Sequence, residues 1–65
     1  MAELLVGARL RIKPAYAKVM GAEPETTATV IDIDPNFVTI KVDGYAASDS
    51  YSHAELFENW ESMNA

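Results

Sequence analysis

Residues 26–44 read TTATVIDIDPNFVTIKVDG, two runs rich in Thr, Val and Ile joined across Asp34-Pro35-Asn36. β-branched residues favour strands, and the junction has turn chemistry. Proline presets φ at the second turn position, while Asp and Asn bond locally to the backbone. A β-hairpin is the expectation. Strict alternation outward from the turn sets Ile33 opposite Val38, Ile31 opposite Ile40 and Thr29 opposite Val42, all on one buried side. Asp32 then falls opposite Thr39 on the exposed side, diagonal to Lys41.

The same stretch mimics a calcium loop. Asp32, Asp34 and Asn36 stand at alternate places, and Asp43 occupies the twelfth. Such a loop needs glycine sixth, a bidentate glutamate twelfth and helical flanks. Phe37 stands sixth, Asp43 is a shorter acid, and both flanks read as strands. The alternation is strand period plus turn chemistry, so no metal or other cofactor is expected.

Upstream, residues 4–13 (LLVGARLRIK) also alternate. Val6, Ala8, Leu10 and Ile12 point one way, and Arg9, Arg11 and Lys13 the other, which predicts a half-buried strand. Pro14 stops it. PAYAKVMG (14–21) reads either as one or two helical turns, with Pro14 first and Gly21 as the stop, or as an irregular loop. YAASDSYS (45–52) reads as a polar loop. In SHAELFENWESM (52–63), Ser52 and Glu55 have capping-box spacing, and Leu56, Phe57, Trp60 and Met63 make one apolar stripe. A short C-terminal helix is the direct reading, with a 3₁₀ turn and a last strand as the alternative. The expected architecture is α+β and mainly β: a twisted antiparallel sheet or partly closed barrel with that helix against it. The core would hold Val6, Leu10, Ile12, Ile31, Ile33, Val38, Ile40, Val42, Leu56 and Trp60.

A chain of 65 residues, 49% of them apolar, makes one small domain, residues 1–65, near the lower limit for a self-sufficient core. It has no cysteine and one histidine, so disulfides and Cys/His metal sites are excluded. The N-terminus carries an acid where a signal peptide needs a base, and no apolar run reaches membrane-spanning length. A soluble, cytoplasmic protein is the expectation.

Catalytic patterns fare poorly. Ser50 or Ser52, His53, and Asp49 or Glu55 are sequence neighbours, which is not how a triad is assembled. No phosphate-cradling glycine loop occurs, and an enzyme is not expected. Ten acids against five bases give a net charge of −5. That disfavours direct nucleic-acid binding, membranes offer no match, and a protein partner with a basic surface fits. No oligomeric state follows from the pattern.

Two sets of residues remain as partner-binding candidates. Glu55, Glu58 and Glu61 recur every three residues and rise about 4.5 Å each along a helix, the order of phosphate spacing along a strand. With Asp43, Asp49 and Glu3 they could form an acidic face; a solvated helix face has the same pattern. Tyr45 and Tyr51 flank a loop, where contact residues concentrate.

The order VGARLRIKP…TATVIDIDPNFVTIKVDGY…SHAELFENWE resembles small SH3-like barrels. Gly7, Arg9, Arg11 and the Asp43-Gly44 turn are the points that carry the likeness. Ala8 departs from the turn-forming Asp or Asn usual there, and the helical pattern of residues 56–63 is a second departure. In kind, a small acidic chain without catalytic motifs is also similar to inhibitors carried by phages and mobile elements, anti-CRISPR proteins among them. The first resemblance bears on fold; the second implies a non-enzymatic inhibitor that covers a basic nucleic-acid-binding surface with its carboxylates. The alternative is an SH3-like adaptor or accessory subunit docking through Tyr45 and Tyr51. A third reading, nucleic-acid binding through Arg9, Arg11 and Lys13, requires those cations to be unpaired.

Overall fold

The structure, a computed structural model, describes residues 4–63. In chain order the elements are β1 (Arg9–Ile12), α1 (Pro14–Met20), β2 (Thr27–Ile33), β3 (Phe37–Val42), β4 (Ser48–Ser52), α2 (His53–Asn59) and β5 (Trp60–Ser62). All strand pairs are antiparallel, in the order β4-β3-β2-β1-β5. The sheet curls into a half-barrel, mainly β with two short helices. Its concave side holds the core: Leu10, Ile12, Ala28, Val30, Val38, Ile40 and Val42 from the strands, Ala17 from α1, Leu56 from α2, and Trp60. Among the described residues no helix is long and apolar enough to cross a membrane.

The hairpin forms across the predicted turn, but its register changes halfway. Ile33 pairs with Val38 and Asp32 with Thr39, as strict alternation requires. A β-bulge then places Val30, not Ile31, opposite Ile40, and Ala28, not Thr29, opposite Val42. Ile31 is the extra residue and stands 44% exposed. The reason is polar burial. The unbulged register would turn Thr27 and Thr29 inward, with hydroxyls that need partners there. The bulge buries Ala28 and Val30 instead and leaves both threonines to bond Arg9 on the convex face.

Three further expectations are corrected. Val6 is not core: it is 61% exposed, because Leu5 to Ala8 form a turn around Gly7, whose φ of 94° ends the strand pattern. Residues 48–52 are a strand rather than loop, pairing Tyr51 with Val38 and Asp49 with Ile40, with the Thr39 and Ser50 hydroxyls 2.9 Å apart. The C-terminal segment combines both readings. α2 stops at Asn59, and Trp60 starts β5 opposite Ile12. Leu56 and Trp60 are therefore buried, while Phe57 and Met63 are exposed.

Local signals hold at both helices. Pro14 opens α1, and Gly21 caps it in the left-handed region (φ 68°), with the Gly21 and Ala22 N–H groups donating to the Ala17 carbonyl. Ser52 caps α2, accepting from the Glu55 N–H at 3.2 Å while its hydroxyl donates to the Glu55 carboxylate at 2.9 Å.

Candidate partner-binding site

Both edge strands of the half-barrel contribute to one pocket. Tyr51 of β4 and Trp60 of β5 line it, with Ile12 and Val42 beneath. α1 supplies Tyr16 and Met20, four residues apart and so on one helix face, while Ala17 turns into the core. Tyr45 closes the rim. It follows a turn in which its N–H donates to the Val42 carbonyl at 3.1 Å and Gly44 takes φ 88°, as the third position of a type II turn demands. Asp49 lies two residues before Tyr51 and thus on the same side of β4.

The pocket has a defined polar wall. The Tyr16 and Tyr51 hydroxyls stand 3.4 Å apart. Burial pushes the Tyr51 hydroxyl up to about 12, helped by the bond to Tyr16 and the charge of Asp49, against a lowering influence from the nearby Trp60 indole. Trp60 itself is 2% exposed, and its Nε1–H, near Tyr51, reaches no hydrogen-bond partner. A buried donor in that state is costly.

The acidic candidates do not converge. Glu55 and Glu58 are exposed on α2, but Glu61 lies beyond the helix on β5, opposite Arg11. The Arg11 guanidinium donates to it at 2.9 and 3.1 Å. Asp43 is held more firmly, by Arg9 at 2.6 and 3.2 Å and by the Thr27 hydroxyl at 2.5 Å. Those bonds, Arg9 first and Thr27 second, draw its carboxyl down to about 2. Glu55 is engaged by its cap. Glu3 lies outside the described residues.

The basic strip is occupied as well. Arg9 and Arg11 meet carboxylates, and the Lys13 ammonium donates to the Phe57 carbonyl at 2.6 Å. Two of the three cations that nucleic-acid binding through this strip would use are thus paired with carboxylates. At the hairpin turn, Asp34 accepts the Asn36 N–H at 3.0 Å, and His53 Nε2 meets the Asp34 carbonyl at 2.9 Å, tying turn to helix. Among the described residues no group of three or more His, Asp or Glu could hold a metal ion.

Of the seven sequence candidates, then, the structure assembles Tyr45, Tyr51 and Asp49 in one place and disperses Glu55, Glu58, Glu61 and Asp43. Tyr16, an amphipathic aromatic of the kind enriched at contacts, joins the pocket together with Met20, which carries no such mark; the i, i+4 spacing of the two in a capped helix is the signal for Met20. Comparison with family models, curated proteins and solved structures returns no match to this chain.

Proposed function

We propose that this chain is a non-enzymatic protein-binding module of SH3-like architecture, an adaptor or accessory subunit that docks its partner in the aromatic pocket between β4, β5 and α1. The observation that carries the reading is the convergence of Tyr16, Tyr45, Tyr51 and Trp60, from four separate segments, on one concave site. Tyrosine and tryptophan dominate contact energetics, because they offer a large apolar area with a polar tip at small entropic cost. The strand order supports the SH3-like part: α2 carries the chain across the sheet so that β5 ends beside β1. Tyr45 is 59% exposed and outside the core, so Tyr45→Ala leaves the fold intact. Quantitative binding of a partner captured from the native host is expected to weaken tenfold or more, the order of a hot-spot loss. Unchanged affinity refutes the docking site.

A second reading draws on charge. The net charge of −5, with Glu55 and Glu58 exposed on one helix, supports an acidic inhibitor that covers a basic nucleic-acid-binding surface, as small phage-borne inhibitors do. Under that reading Glu58→Lys abolishes binding and salt weakens the complex steeply. Glu61 is unsuited to the test, since its reversal also breaks the Arg11 pair.

A further inference from the structure

We infer that the aromatic pocket receives the side chain of a lysine or arginine from a basic partner segment, with its alkyl stem between the tyrosine rings and its charged end at Asp49. The inference rests on the docking reading above and names the occupant.

Asp43 and Glu61 are paired with arginines, and Glu55 is bonded to its cap. Asp49 has no hydrogen bond or ion pair to another side chain among the described residues, and it sits at the pocket itself. An unpaired anion beside apolar walls calls for a ligand that is cationic at one end and apolar along its length. The walls agree, because the π faces of tyrosine attract ammonium and guanidinium groups. Asp49 already acts on this site, since its charge is one of the influences that hold the Tyr51 proton in place. The size agrees too. The cavity is about 70 Å³, far below the roughly 300–1,000 Å³ of small-molecule sites, and so suited to one slender side chain. A chain of net charge −5 also draws basic partners from a distance.

The test uses n-butylammonium as the probe and 1-butanol as its neutral counterpart, each titrated at low salt into the full chain. Trp60, the one tryptophan, reports through its fluorescence and its indole N–H resonance. Butylammonium is expected to shift the Trp60, Tyr45 and Tyr51 signals and to bind about fivefold tighter than butanol, the worth of a good exposed ion pair. Asp49→Asn, on an exposed edge-strand position, should erase that preference with the melting temperature unchanged. Equal binding of the two probes, no binding of butylammonium, or a preference that survives Asp49→Asn overturns the inference. Partner affinity separates the two levels. If Tyr45→Ala weakens it and Asp49→Asn does not, the cation is wrong and the docking site stands. If neither weakens it, both fall.

Discussion

The bulge at Ile31 makes the sharpest claim about this fold, because it decides which of two adjacent residues is core. Val30 is fully buried, whereas Ile31 is 44% exposed. Val30→Ala removes two methyl groups, worth about 0.8 kcal/mol each in transfer alone. A cavity term of about 24 cal/mol per Å³ is added for whatever space fails to collapse, bringing the cost to about 2–3 kcal/mol. Ile31→Ala removes more carbon but opens no cavity, and should cost less than about 1 kcal/mol. Both changes lose a similar strand propensity, so their difference isolates burial. Urea unfolding reads it directly. With a slope near 1 kcal/mol/M for so small a chain, the midpoint falls by about 2–3 M for Val30→Ala and by under about 1 M for Ile31→Ala. Against a net stability of roughly 3–5 kcal/mol, the first variant is left marginal. Deleting Ile31 is the complementary change. It leaves Val30 opposite Ile40 and Asp32 opposite Thr39 in unbroken alternation, so the core stays filled. If Ile31→Ala proves the costlier substitution, the bulge and the register built on it are wrong.

Two other outcomes follow from single contacts. The Asp43 carboxyl is lowered from 3.8 to about 2 by its bonds to Arg9 and Thr27; its stabilisation is therefore present above about pH 4 and lost as the pH falls through 2. Asp43→Asn should flatten that part of the acid-unfolding profile, and salt should shrink the effect, since both partners are exposed. Ser52→Ala removes the cap of α2 at a cost of about 1 kcal/mol. That lowers the thermal midpoint by about 4–8 °C in a chain of this length, measurable by circular dichroism.

What was legible in the sequence is what neighbours in the chain decide. The Asp34-Pro35-Asn36 turn, the Pro14 and Gly21 ends of α1, and the Ser52 cap each need only a few adjacent residues. The bulge does not. Its advantage appears only once β1 lies beside β2 and offers Arg9 to the hydroxyls of Thr27 and Thr29. Counting from the turn could place Ile33 and Val38 but had no term for that exchange. Val6 departs from alternation for a local reason: the pattern runs through Gly7, and a glycine inside a strand pattern is a warning of positive φ. In β4, the Ser-rich composition concealed a strand, because an edge strand needs only one apolar side and here Tyr51 supplies most of it.

The site depended on strand order even more. Ten acids are interchangeable in a charge count, yet topology makes them unlike. β1 is flanked by β2 and β5, so its two arginines reach a carboxylate on either side. Arg9 finds Asp43, 34 positions away, and Arg11 finds Glu61, 50 positions away. β4 has a single neighbour, β3, and the one lysine on that strand, Lys41, gives its ammonium to the Tyr45 carbonyl at 2.5 Å. Asp49 is left unpaired because an edge strand meets fewer cations, and it is left beside tyrosines because the same edge borders the open seam of the half-barrel. The regular glutamate spacing in α2 promised an anionic ladder, but a helix that ends at Asn59 cannot carry its third rung. Under the proposed docking, the carboxylate that meets the cation is Asp49, which its edge strand leaves beside the tyrosines, and no periodicity in the chain marks it.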